Sequence, residues 1–308
     1  MDIQHIRIGT RGSALALAQT ELVEQALRER FVDIEFERVI YKTEADRNSR
    51  RSLVEFGGTG VFVKELERAL IDREIDIAVH SAKDMPAGIT DGLCIAGVLE
   101  RDDVRDVLVY RKEFGDSIDE ISPPFIVGTG SPRRQRQLEA LYPHFTCVGI
   151  RGNVPTRLDK VRNGECDGVI LAAAGLKRLG LLDQQEFCYH FFSEEEMLPA
   201  GGQAIIAIET RAIDDIKSYV QAVSDEAAFT ELMAERQVLR FLNAGCHEPI
   251  AVRAHVKMDE VSISLAYGTL SSNGDIIRVC RKGKREEWEQ VATELVQTLC
   301  SQKQSDKI

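Results

Sequence analysis

The chain has 308 residues, 44% of them hydrophobic and 29% charged, a composition that suits a folded protein of two or three domains of about 100 to 150 residues each. Its net charge of −11 argues against general nucleic-acid binding, which needs a broad basic surface. The seven cysteines are odd in number, widely spaced and without a C-x-x-C pair, and no apolar stretch suits a membrane span or a signal-peptide core, so a cytoplasmic protein without disulfides, zinc or another metal is expected.

In chain order, residues 5–9 read as a first strand, and Thr10-Arg11-Gly12-Ser13 opens a helix with Leu15, Leu22, Val23, Ala26 and Leu27 at helical spacing. Such a helix start offers unpaired N–H groups to an anion with Arg11 beside it; equally, Ser13 is a plain cap and Arg11 is solvated. A second strand spans 34–41. The glycine string Gly57-Gly58-Thr59-Gly60, a candidate lid or an ordinary turn, then leads into a helix over 61–70. Next comes Ile77-Ala78-Val79-His80-Ser81-Ala82-Lys83-Asp84-Met85-Pro86, an apolar run that stops at a polar cluster. Buried parallel strands read as continuous apolar runs, and ligands gather beyond their carboxyl ends, which makes Asp84 and Lys83 candidate site residues.

The charged segment 100–106 suggests a crossing between domains, and 107–110 resumes as strand. A second α/β unit follows. It has a strand at 126–127, the loop Gly128-Thr129-Gly130-Ser131, and a helix from Pro132, a good first helical position after a serine. A strand over 145–150 runs into Arg151-Gly152-Asn153-Val154 and a helix carrying Arg157 and Arg162. A third strand at 168–171 precedes a helix over 172–179 with Lys177 and Arg178. Between Gly128 and Arg178 nine basic residues stand against four acidic ones, mostly arginines at strand-to-helix junctions, and their fork geometry suits carboxylate or phosphate. Leu198-Pro199-Ala200-Gly201-Gly202-Gln203 marks a second crossing, and 204–208 reads as a strand returning to the first sheet. An amphipathic helix over 224–242 is stopped by Gly245, with Cys246 next; strands at 251–256, 261–267 and 276–279 and a helix over 286–300 complete a small α+β domain.

Taken together, GTRGSALAL, GVFVKELE, DIAVHSAKDMP, GTGSPRRQRQL, RGNVPTRLDK, ILAAAGLKRLGL, LPAGGQ and NAGCHEP, in this order over nearly the whole chain, resemble the hydroxymethylbilane synthase (porphobilinogen deaminase) family. The resemblance implies an α/β fold of three domains: two periplasmic-binding-protein-like α/β lobes around a cleft and a small α+β C-terminal domain. Their implied extents are 1–100 with 201–221, 101–200, and 222–308. It implies a dipyrromethane cofactor held through a thioether to Cys246, onto which four porphobilinogen units condense with loss of ammonia before water releases the linear tetrapyrrole. A monomer with porphobilinogen and the growing oligopyrrole as its partners is implied.

By the same resemblance Asp84 is the catalytic carboxylate. Lys83, Asp84, Ser13, Thr129, Ser131, Arg133, Arg134 and Arg157 face the cofactor; Arg11, Ser13, Phe62, Arg151, Arg157, Arg178 and Gln203 face the substrate. The chemistry agrees, because each porphobilinogen brings two carboxylates and loss of ammonia leaves a cation that a carboxylate stabilises. A non-catalytic anion binder would use the same arginines, but Asp84 would repel its ligand. The chain departs from the family at Thr59, usually lysine, and at Ala45, Ala204 and Ala244, usually glycine.

Overall fold

In the computed structural model, the apolar run before Asp84 becomes a strand inside a five-stranded sheet. The structure describes residues 4–41, 63–243, 248–268 and 276–305; Ala45, Thr59, Phe62, Ala244 and Cys246 lie outside them. The chain divides into two units, Met1–Asp102 with Ala204–Met233 and Asp103–Gln203 with Ala234–Ile308.

The chain enters the first unit with β1 (His5–Arg11), α1 (Ala14–Arg30), β2 (Glu35–Tyr41), α2 (Lys64–Ile71), β3 (Ile77–Ser81) and β4 (Leu93–Val98). The second unit begins with β5 (Asp106–Arg111), β6 (Phe125–Gly128), α3 (Pro132–Leu141), β7 (Phe145–Val148), α4 (Val154–Arg162), β8 (Gly168–Ala172), α5 (Ala173–Arg178) and β9 (Phe187–Phe191). The chain then returns as β10 (Ile206–Arg211) and α6 (Ile216–Gln221), and α7 (Glu226–Phe241) carries it across the unit boundary. Last come β11 (Ile250–Lys257), β12 (Glu260–Gly268), β13 (Ile276–Lys284) and α8 (Trp288–Ser305).

The first sheet runs β2-β1-β3-β10-β4, with β1, β2 and β3 parallel and β10 antiparallel to both its neighbours. The second repeats that order as β7-β6-β8-β5-β9, with β5 as the antiparallel strand. β3 and β8 are buried along their first four residues, which is why both read as apolar runs without alternation. One face of the first sheet packs Ile8, Ile77, Val79 and Ile208 against Val23 and Leu27 of α1; Leu66, Ala69 and Leu70 of α2 cluster with Ala78. Among the described residues no helix is long and apolar enough to cross a membrane.

Several boundaries differ from the sequence expectation for local reasons. The returning strand starts at Ile206 instead of 204, because Ala204 has φ +73°, a left-handed conformation that cannot continue a strand. β4 and β9, the outermost strands beside β10 and β5, gave no signal: β4 is a short apolar run with a glycine, and β9 is half-buried along most of its length. Helix α7 is less amphipathic at its end than its sequence suggests, since Glu235 and Arg236 are buried. Glu235 accepts from the backbone N–H of Gly202 at 2.6 Å and of Ala254 at 2.8 Å, tying the 198–203 loop to the C-terminal sheet β11-β12-β13. Val252, Val261, Ile263 and Leu265 of that sheet pack on Val238, Leu295 and Leu299 of α7 and α8.

Candidate active site

In the first unit, β1 delivers Arg11 to the carboxyl end of the sheet, and the chain turns at once into α1. Ser13 is the helix cap: its Oγ accepts from the N–H of Ala16 at 3.3 Å, which leaves its O–H proton available to another acceptor. β3 ends beside it at Ser81, and residues 82–84 wind into a 3-10 turn that leaves Asp84 exposed and Lys83 half-buried. That turn is pinned by Ala82 N–H donating to Ile205 O at 3.0 Å and Met85 N–H to Ala82 O at 3.2 Å. A pocket of about 80 Å³ is lined here by Arg11, Ser13, Gln19, His80, Ser81 and Asp84, with Leu15, Ala16, Val63 and Val79 as its apolar wall.

Three of those polar residues were not assigned from the sequence. Gln19 sits on the inward stripe of α1, four residues after Leu15, where a polar side chain is a signal in itself. Its amide makes two contacts with one hydroxyl: Nε2 donates to Ser81 Oγ at 2.9 Å, and Ser81 Oγ donates to Oε1 at 3.0 Å. This locks α1 to the residue preceding the Asp84 turn. His80 was visible as a titratable residue at the end of an apolar run.

The second unit treats its basic residues in two ways. Thr129 is buried and its Oγ1 accepts from the N–H of Ser131, which caps α3 without a side-chain bond. Arg133 and Arg134, in the first turn of α3, are buried and converge on Asp106 at the start of β5. Arg133 Nη1 lies 2.7 Å from Asp106 Oδ2 and donates to Leu198 O at 2.7 Å. Arg134 donates through Nη2 and Nε to Asp106 Oδ1 at 2.7 and 3.0 Å, and through Nη1 to Ile170 O at 2.8 Å. Burial pushes the Arg133 guanidinium below its ordinary pKa; Asp106 opposes that shift and Arg134 adds to it. Gln203 is also fully buried, its Nε2 donating to Val104 O at 2.7 Å and to Asp106 Oδ1 at 3.1 Å.

By contrast Arg151 is exposed and Arg157 half-buried, on a loop shaped by Gly152. Gly152 has φ +112°, where a Cβ would stand 2.7 Å from Thr156 Cγ2, and its carbonyl accepts from Arg157 Nε at 2.8 Å. Arg178 closes α5 and is half-buried. Thus Arg11, Ser13 and Asp84 share one pocket, and Arg133, Arg134 and Gln203 share one buried carboxylate.

A family model described as porphobilinogen deaminase, dipyromethane cofactor binding domain, matches residues 6–218, and one described as the C-terminal domain of porphobilinogen deaminase matches residues 229–301. The chain belongs to the porphobilinogen deaminase family. Its relatives include the porphobilinogen deaminases of Clostridium novyi, 37% identical over 95% of this chain and 97% of the relative, and of Streptococcus sanguinis, 43% identical over 81% of each. Among solved structures, the methionine binding protein MetQ matches with a TM-score of 0.44 and 14% identity over 73% of this chain and 92% of its own. As a porphobilinogen deaminase family member, the chain is a transferase of tetrapyrrole biosynthesis with hydroxymethylbilane synthase activity and a dipyrromethane cofactor.

Proposed function

We propose that the Asp84 pocket is where this chain binds and activates porphobilinogen, with Asp84 as the catalytic carboxylate and Arg11 and Ser13 as partners of the substrate's acidic side chains. The observation that carries this is the lining itself: a carboxylate, a guanidinium and a helix-cap hydroxyl around one pocket at the carboxyl ends of the parallel strands β1 and β3. Arg11 offers a charge-assisted fork to a carboxylate, and Ser13 keeps its O–H proton while its oxygen caps α1. Breakage of the aminomethyl C–N bond sends its electron pair out with ammonia and leaves a cation on the substrate. Asp84 holds the departing ammonium and then faces that cation at the same place, which a fixed carboxylate does without reorganising. The paired hydrogen bonds between Gln19 and Ser81 and the pinned 3-10 turn keep the Asp84 backbone in position.

The dipyrromethane, when bound, supplies the pyrrole carbon that meets this cation. Its carboxylates suit the donor set of the second unit, in which two buried guanidiniums share the carboxylate of Asp106. Arg133, Arg134, Arg157, Thr129, Ser131 and Lys83 are the proposed cofactor contacts, with Cys246 as the covalent anchor; Arg151, Arg178, Gln203 and Phe62 join Arg11 and Ser13 on the substrate side. We further propose that the chain works as a cytoplasmic monomer of three domains, with extents 1–100 plus 201–221, 101–200 and 222–308.

The test is Asp84→Asn in the holoenzyme. Loss of a positioned carboxylate is expected to lower kcat by about 100-fold or more, in the range of general acid–base groups, without unfolding the exposed turn. Turnover at the wild-type rate would remove Asp84 from the mechanism.

A further inference from the structure

β10 lies antiparallel to β3 with Ala207 opposite His80 and Glu209 opposite Ala78, so Glu209 is the diagonal neighbour of His80 on one face of the sheet. The two side chains meet there. His80 Nε2 lies 3.0 Å from Glu209 Oε2, and their side chains are 5% and 0% exposed. Glu209 Oε1 is buried without a hydrogen bond. A fully buried carboxylate with one partner and one orphan oxygen is a poor way to stabilise a core, since apolar residues of the same size would serve as well or better. Its place is informative, because His80 also lines the pocket of Arg11, Ser13 and Asp84. A carboxylate that accepts this bond selects the His80 tautomer with the proton on Nε2. The lone pair is then left on Nδ1, which makes no hydrogen bond among the described residues.

We propose that Glu209 is a positioning residue that acts through His80, holding Nδ1 as an acceptor for the ammonium of porphobilinogen's aminomethyl group beside Asp84. This rests on reading the pocket as the porphobilinogen site. Two acceptors, His80 Nδ1 and Asp84, then fix the leaving group from two sides while Arg11 takes the opposite charge. Glu209 touches no substrate and would be silent in any search for exposed site residues.

The test uses the holoenzyme and Glu209→Gln, whose amide can donate as well as accept and so releases the choice of tautomer. The KM for porphobilinogen is expected to rise about tenfold, the loss of one hydrogen bond to a charged group, with Tm within a few degrees of wild type and covalent cofactor still present by intact mass. A KM within about twofold of wild type would overturn the proposal, being less than one such bond supplies. Long-range ¹H–¹⁵N correlation on the wild-type protein reads the tautomer without any substitution: a neutral ring protonated on Nε2 is expected, and one protonated on Nδ1 overturns the proposal even if Glu209→Gln does not fold. A wild-type protein that neither carries pyrrole nor consumes porphobilinogen would instead remove the pocket reading itself.

Discussion

Replacing Asp106 with alanine should be among the most damaging single changes in this protein. Asp106 is fully buried, and the guanidiniums that meet it, Arg133 and Arg134, are only 4% and 7% exposed. Their contacts at 2.7 Å mean that its removal strands two like charges side by side in a region water cannot reach. Breaking one buried ion pair from one side costs about 3–5 kcal/mol, and the remaining bonds to Leu198 O and Ile170 O return only part of it, so a loss of about 3–5 kcal/mol is expected. Urea unfolding with an unchanged m-value measures this directly. Cofactor content by mass, on whatever fraction folds, should fall as well, because the same two arginines are the proposed cofactor contacts. Adding Arg134→Met to Asp106→Ala should recover stability by removing one stranded charge. A loss below about 1 kcal/mol, the value of an exposed pair, would refute the reasoning and mean that water reaches the cluster.

Asp76 tests the first unit by pH. Burial raises its carboxyl pKa, but side-chain and backbone hydrogen bonds from Arg7 and a side-chain bond from Arg211 outweigh that and hold it below the ordinary value. A depressed folded value contributes stability that is complete above the unfolded carboxylate range, about pH 4, and is lost as pH falls through the still lower folded value. Asp76→Asn should therefore lower stability at neutral pH by about 1–3 kcal/mol and flatten the acid limb of stability against pH; an unchanged acid limb would dismiss the Arg7–Asp76–Arg211 network. At Ala204, φ +73° and burial make side-chain shape decisive. A β-branched residue should be rejected there, with Ala204→Val losing about 2 kcal/mol or more in denaturant unfolding, whereas Ala204→Gly should stay within about 1 kcal/mol, because relief of the left-handed strain offsets lost burial and glycine's entropy.

Where one short segment carries both fold and chemistry, the sequence was legible. The apolar run 77–81 halting at Lys83 and Asp84 is a strand end, and Arg11 with Ser13 is a strand-to-helix junction; each signal lies within about ten residues. The arginine excess of the second unit was legible only as charge. Its division into buried Arg133 and Arg134 and more open Arg151 and Arg157 depends on Asp106, 27 and 28 positions before the buried pair and within a segment that read simply as a charged crossing. Glu209 was hidden for the same reason, since its partner His80 stands 129 residues away and the pairing exists only because β10 returns to lie beside β3. β4 escaped because its apolar run is short and interrupted by a glycine, and β9 because a half-buried strand shows neither alternation nor a long apolar run.

The most direct test of the central claim is the intact mass of the denatured protein against the mass calculated from its sequence. A covalently held dipyrromethane predicts an excess equal to two porphobilinogen units less two ammonia, located on the peptide that contains Cys246 and absent from Cys246→Ser. A protein of unmodified mass that stays unmodified after incubation with porphobilinogen would contradict the account.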